Sequence, residues 1–315
     1  MHDFVDECKK AGIEFKPDIM PYYTWHYRAF IRDILYYIYI FIHKLFPSLL
    51  KRRKAIIIAA NGSTIKDIAF PYYFNYEIIP FLWDTWPNSH QKLFQDIIDF
   101  DIKYLFVSSS QVANIINKST QANAKWIPEA LTTTHYKNKL ELDQRPYEVF
   151  EMGRQKAEYH NVLLKLLKEG HIHTLNTSNI LHNGSLDNKN VAHTNQELYD
   201  IMANSRTIIC FPRCDTNKEI AGNIETLTQR YWEAMLSGCL MIGRAPQELI
   251  DLIGYNPVID VNWDEPEKQL QNILKHITEY QELANKNYQK AMEHASWGKR
   301  MPIIKTFLEE HNYTL

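Results

Sequence analysis

Apolar positions along the chain fall into short β-branched runs separated by segments with helical spacing. The clearest instance spans Thr207 to Gly243. Thr207 to Phe211 reads as a strand buried on both faces of a parallel sheet, and Pro212 to Ile224 as loop. Leu227, Tyr231, Trp232, Met235 and Leu236 then recur on one helical face. Thr226 and Gln229 fit a capping box at the start of that helix, Gly238 suits the left-handed residue after its last turn, and a second strand runs up to Gly243.

The same alternation predicts strands at Ala55 to Gly62, Ile78 to Trp86, Tyr104 to Ser110, Tyr147 to Arg154, Ile172 to Leu175 and Pro257 to Val261. Helices are expected at Asp3 to Lys10, Gln111 to Asn117, Tyr159 to Glu169, Glu197 to Ala203 and Gln247 to Ile253, with an amphipathic helical tail from Pro266 to Glu310. Ile13 to Phe15 reads as a strand fragment and Lys137 to Pro146 as a linker. Strands that alternate with helices imply parallel, doubly wound sheets, whose ligands bind outside the carboxyl ends of the strands.

The most apolar stretch, Asp33 to Pro47, is followed by Lys51-Arg-Arg-Lys54. Its uninterrupted core is near half of what a bilayer span needs, so it is not a transmembrane helix. Two readings of residues 27–54 stand: an aromatic helix resting on an anionic membrane surface, or a core helix with a solvated basic end.

At 315 residues the chain suits two α/β domains. Hydrophobic residues at 45% and charged residues at 23% are globular composition, and a net charge of −2 argues against nucleic acid as a partner. Cys8, Cys210, Cys214 and Cys239 show neither zinc spacing nor disulfide-framework density, and read as reduced thiols of a cytoplasmic protein.

Candidate chemistry gathers where strands end. A helix beginning near Leu227 offers backbone N–H groups and a positive dipole end, a site for phosphate. Glu225 and Glu233, eight residues apart, bracket that start. In the first half, Asn61, Gly62, Asp84, Thr85, Trp86, Ser109 and Ser110 stand at strand carboxyl ends. Asp84 either orients or deprotonates an acceptor hydroxyl or caps the turn before Asn88, and His90 is a second candidate for the acid–base task.

Glu225-x(7)-Glu233, followed by Ala-Met-Leu-Ser-Gly-Cys-Leu-Met-Ile, resembles the signature of retaining GT-B glycosyltransferases with a glycosyltransferase group 1 C-terminal domain. Ala124-Lys-Trp-Ile-Pro-Glu-Ala-Leu131 resembles the segment that closes their N-terminal domain, and Tyr147 to Arg154 their strand ending in Gly-Arg. The usual Gly-Phe-Gly after the first Glu is replaced by Thr226-Leu227-Thr228, and no Gly follows Lys156 where the family has a Lys-Gly pair.

The resemblance implies two Rossmann-like domains facing a cleft: an acceptor-binding domain at 1–140, which is either abbreviated at its start or has its leading strand elsewhere, a nucleotide-sugar-binding domain at 141–296, and a helix at 297–315 that crosses back. Glu233 would hold the donor ribose and Glu225 would face the donor sugar. Arg154 would grip the diphosphate, joined by Lys156, Arg213 or Arg230 and by the amides of Thr226, Leu227 and Thr228. Lys156 reads equally as a solvated helix-start lysine. The loop through His182, Asn183 and Gly184 would pass the base. Asn61, Gly62, Trp86 and His90 would lie on the acceptor side.

The expected reaction is transfer of a sugar from a UDP- or GDP-linked donor to a glycan or lipid-linked glycan, with retention, in surface polysaccharide synthesis. It would use no cofactor and no metal, because protein cations face the leaving diphosphate, and would run in the cytoplasm, at the inner face of the membrane if 27–54 rests there. Nucleotide-sugar epimerisation on the same fold and a catalytically silent partner subunit are the alternatives.

Overall fold

The apolar runs of the sequence pair into two all-parallel sheets, because each return passes through helix or loop instead of a tight hairpin. This computed structural model describes residues 2–10, 25–46, 54–136, 140–151, 153–177, 179–180, 186–187, 192 and 194–313. The chain divides into two units, Met1–Pro128 with Arg300–Leu315, and Glu129–Lys299. The strand fragment expected at Ile13 to Phe15 and the loop through His182 to Gly184 lie outside the described residues.

The first unit opens with helices α1 (His2–Lys10) and α2 (Trp25–Leu45). It continues through β1 (Lys54–Asn61), α3 (Ile65–Ile68), β2 (Tyr76–Trp83), α4 (His90–Asp99), β3 (Tyr104–Val107), α5 (Ser110–Ser119) and β4 (Asn123–Trp126). Its strands lie in sequence order, with Ile57 opposite Ile79 and Phe81 opposite Phe106. Phe81, Leu82, Leu105 and Phe106 are fully buried, as expected of a parallel sheet covered on both faces. Helix Met301–Glu310 belongs to this unit: Phe307 packs on Phe106 with ring centres 5.4 Å apart, and Tyr313 donates to Glu77 at 2.6 Å.

The second unit contains β5 (Tyr147–Glu151), α6 (Ala157–Lys168), β6 (Leu175–Thr177), the antiparallel pair β7 (Asn179–Ile180) and β8 (Leu186–Asp187), α7 (Asn195–Ala203) and β9 (Ser205–Cys210). After it come α8 (Arg213–Thr216), α9 (Lys218–Ala221), α10 (Gln229–Leu236), β10 (Leu240–Gly243), α11 (Gln247–Ile253), β11 (Val258–Asp260), α12 (Pro266–Lys275) and α13 (Gln281–His294). Strand order is β11-β10-β9-β5-β6, so the winding reverses between β5 and β9. Trp232, Met235, Leu236 and Met241 are fully buried and anchor α10 to the sheet.

Three expectations are corrected. Residues 129–136, read as the end of the first domain, pack with the second unit: Leu131 donates its amide to Ala295 O at 2.9 Å, and Tyr136 sits in the core with Phe150. The stretch read as linker contains the fully buried Arg145, whose guanidinium donates to Leu140 O at 3.1 Å, Ser205 O at 2.9 Å and Ser237 O at 3.0 Å. The capping box does not form, since the N-cap of α10 is Thr228, with no side-chain capping bond.

Candidate functional site

In a doubly wound sheet, ligands are taken in the crevice where strand order reverses. Here that point lies outside the carboxyl ends of β5 and β9, and the chain sets cations around it. Gly153 and Arg154 follow β5 directly, Arg213 opens α8 just beyond β9, and Arg230 stands in the first turn of α10. Arg230 Nη1 approaches Arg154 O at 3.5 Å. Gly153 holds φ +73°, and a β-carbon there would lie 2.0 Å from Arg230 Nη2, so the absence of a side chain makes the room that Arg230 fills. Arg230 Nε is buried without a hydrogen-bond partner among the described residues.

One turn along α10 from Arg230 stands Glu233, which accepts from the Tyr136 hydroxyl at 3.2 Å. Burial pushes its carboxyl above the ordinary range, against the opposing pull of Arg230 and the Tyr136 hydrogen bond. A half-desolvated carboxylate beside a guanidinium can accept hydrogen bonds from vicinal hydroxyls, the chemistry that a ribose offers.

The start of α10 is occupied by the chain's own carboxylates. Leu227 N donates to the buried Glu248 at 2.8 Å, and Gln229 N approaches Glu129 Oε2 at 3.3 Å. Trp232 Nε1 donates to Glu129 O at 3.0 Å, fixing the Glu129-Ala130 segment over the helix end. Thr226 and Leu227 are themselves buried, and Thr228 serves as N-cap. The Leu227 amide expected to face phosphate is therefore already hydrogen-bonded; carboxylates satisfy the helix dipole in its place.

Glu225 is likewise engaged. One of its oxygens pairs with Arg244 Nη1, and the other accepts from Gln247 N at 3.0 Å. Arg244 also makes a two-point contact to Asp215, Nε to Oδ2 at 2.6 Å and Nη2 to Oδ1 at 2.9 Å. Arg244 is held there by Gly243, whose φ of +143° carries the chain close over the end of β9, so that Arg244 N donates to Cys210 O at 2.9 Å. The Asp215–Arg244 pair walls a hollow of about 360 Å³ that Lys156, Phe211 and Trp263 also line. Lys156 Nζ lies 3.4 Å from Glu158 and 5.4 Å from the ring centre of Trp263, which is about half exposed.

Sequence reading missed Arg244, Tyr136 and a buried cluster at the end of β5. In that cluster Glu151 Oε2 meets His160 Nδ1 at 2.6 Å and Thr177 Oγ1 at 2.8 Å, while Gln155 donates to Thr177 at 2.7 Å. The position of Arg244, directly after a strand-ending glycine, was a usable signal; Tyr136 and Thr177 are brought in by distant segments.

In the first unit the candidates also gather at strand carboxyl ends. Asn61 closes β1 and folds the turn after it, its Oδ1 accepting from Ser63 N at 2.9 Å and Ser63 Oγ at 2.8 Å. Gly62 abuts the next loop so closely that a β-carbon would meet Ser89 Oγ at 2.6 Å. Asp84 follows β2, exposed and in the left-handed region at φ +46°, a geometry that Asp tolerates in turns. Trp86 and Thr85 are buried, as is Ser109, the N-cap of α5; Ser110 is the first residue of that helix. His90 opens α4 with Nε2 buried and lacking a hydrogen-bond partner among the described residues, and burial lowers its pKa. Among the described residues no group of three or more His, Cys, Asp or Glu side chains is arranged to hold a metal.

No protein-family model matches this chain, and neither does any curated protein. Solved structures do. A glycosyltransferase from Rickettsia africae aligns with a TM-score of 0.53 at 14% identity, covering 96% of this chain and 87% of that one. HepE of Anabaena, solved in complex with UDP-glucose, aligns at 0.55 and 12%, covering 81% and 78%. Sucrose-phosphate synthase of Thermosynechococcus elongatus aligns at 0.52 and 9%, covering 81% and 73%. At such identities the likeness is one of fold: an α/β chain of the GT-B class with two Rossmann-like parallel sheets.

Proposed function

We propose that this chain of GT-B fold is a glycosyltransferase that takes its sugar from a nucleoside-diphosphate donor held by the second unit. The observation that carries this reading is the grouping of Arg154, Arg213 and Arg230 with Glu233 at the point where the sheet reverses. HepE, of like fold, was solved with UDP-glucose, which supports a uridine nucleotide as the first donor to try.

In this reading Glu233 accepts the ribose hydroxyls, while Arg154 and Arg230 take the diphosphate. Cleavage of the donor builds negative charge on the leaving diphosphate, and fixed cations lower its energy most where water is scarce. Arg213 and Lys156 extend the cationic field, which serves the role a metal would otherwise fill, so transfer proceeds without one. Trp263 offers a flat apolar face beside Lys156 for a base or sugar ring. Glu225, locked between Arg244 and Gln247 N, acts through its charge on the sugar side and not as a mobile base. Asp84, with His90 behind it, addresses the acceptor hydroxyl, and Asn61, Gly62 and Trp86 shape the acceptor side. The acceptor is a glycan or lipid-linked glycan of a surface polysaccharide, and the anomeric configuration is retained.

The test is release of nucleoside diphosphate from a panel of UDP- and GDP-sugars, with and without glycan acceptors and with EDTA present, the anomer being read by NMR. Acceptor-stimulated release with retention is expected; no release from any donor contradicts the reading.

One observation favours a second reading, a subunit that binds donor without turning it over: Glu248 and Arg244 already occupy the Leu227 amide and the Glu225 carboxylate. Nucleotide binding without turnover in the same panel would select it.

A further inference from the structure

Helix α2 is packed with its polar side inward. Tyr39 is 0% exposed and lies against Tyr73 and Phe100, with ring centres 4.6 and 5.7 Å away. The Tyr36 hydroxyl bonds to the buried Asp99, Arg32 pairs with Asp67 at 2.7 Å, and Asp33 with Lys66 at 3.0 Å. Lys66 also sits 4.2 Å over the Tyr36 ring. Opposite this polar seam the helix turns large apolar side chains outward: Phe30 is 70% exposed, Tyr37 68% and Phe41 59%, with Ile34, Ile38 and Leu45 between and beyond them.

These positions recur every three or four residues, so they form one stripe about 22 Å long at 1.5 Å per residue. Water would favour the reverse arrangement, with the ion pairs outside and the stripe within. A solvated helix face does not look like this, and neither does a core helix; the outer face is built for an apolar environment.

The helix does not cross a membrane: no helix among the described residues is long and apolar enough, and the ion pairs of Arg32 and Asp33 tie its first half to α3. Charge selects among the remaining occupants. Residues 25–54 carry seven Lys or Arg and one Asp, a net of +6 in a chain whose total is −2. Lys44 stands in the last turn of α2, and Lys51, Arg52, Arg53 and Lys54 follow within ten residues. A second copy of this face would bring two such segments together. An anionic lipid surface takes both features at once, the stripe entering the acyl boundary and the cations meeting the headgroups.

We propose that α2 docks the protein on anionic membranes through Phe30, Ile34, Tyr37, Ile38, Phe41 and Leu45, with the exposed Lys44 and Lys54 meeting the lipid phosphates. The occupant is a lipid bilayer surface, and the helix lies in its plane. This inference is independent of the donor site.

The experiment is flotation of the purified full chain with vesicles of phosphatidylcholine alone and of phosphatidylcholine mixed with phosphatidylglycerol, with the solution mass measured alongside. Expected is flotation on the anionic vesicles, weakened about tenfold or more on neutral ones, by Phe30→Ser/Tyr37→Ser/Phe41→Ser, or by high salt. A second variant, Lys44→Glu/Lys54→Glu, changes two exposed side chains only and weakens the anionic preference. Circular dichroism melting of both variants should match the parent, because none of the changed helix residues is buried. Absence of flotation by the parent, equal flotation by folded variants, or a parent dimer that the serine variant converts to monomer would overturn the proposal, the last by making a second copy the occupant.

Discussion

Arg230 fills the space that a β-carbon on Gly153 would need, its Nη2 lying 2.0 Å from that position. A glycine just beyond the first strand of the second unit thus sets where a guanidinium from α10 can stand. Gly153→Ala forces Arg230 aside and places alanine at φ +73°. A stability loss of about 1 kcal/mol is expected from the backbone conformation, together with roughly tenfold weaker nucleotide binding from the displaced charge. Thermal melting and calorimetry measure the two, and unchanged affinity would show that Arg230 does not face the ligand.

Arg145 ties three backbone carbonyls from separate segments while fully buried. Truncation leaves those acceptors without donors in a dry interior. Arg145→Ala should cost about 3–5 kcal/mol in urea unfolding of the second unit. Arg145→Lys should recover little of it, since a lysine cannot spread donors over three directions. A loss below about 1 kcal/mol would contradict this account.

Asp96, on α4, is buried with Oδ2 lacking a hydrogen-bond partner among the described residues, and burial raises its pKa to about 7; Asp99 and Asp67 add repulsion, while Lys92 opposes them. In the unfolded chain an Asp titrates near 3.9. Between these values the folded state keeps a proton that the unfolded state has lost, so stability falls as pH rises from about 4 to 7, by an amount on the order of 4 kcal/mol. Asp96→Asn should remove that slope and raise the melting temperature above pH 7. Parallel pH profiles for the two proteins would rule the burial argument out.

The strands were legible where apolar runs are short and unbroken, as at Tyr104–Val107 and Leu240–Gly243, and α10 was legible from the spacing of Tyr231, Trp232 and Met235. The start of α10 was misplaced because Thr226 and Gln229 mimic a cap, whereas Glu248, 21 residues further on, takes the Leu227 amide. No local signal carries that partner. Arg145 looked like linker for the same reason: it bonds to residues as far away as Ser237. Within the site, the Arg and Glu positions followed from strand ends and spacing, but the Arg244 grip on Glu225 depends on how β10 ends over β9. Apolar content identified α2 without revealing which face would turn outward.

The donor site stands or falls on Glu233. Calorimetric titration with UDP and GDP, with EDTA present and beside Glu233→Ala, should find micromolar binding of one nucleotide. The variant should weaken it by about 1.5 kcal/mol or more, as expected for a lost hydrogen bond to a charged group. Because burial raises the Glu233 pKa, affinity should also drop on acidification at a higher pH than an ordinary glutamate would give, as the acceptor becomes protonated. Binding that is equal in the variant, or no binding of either nucleotide, would contradict the account.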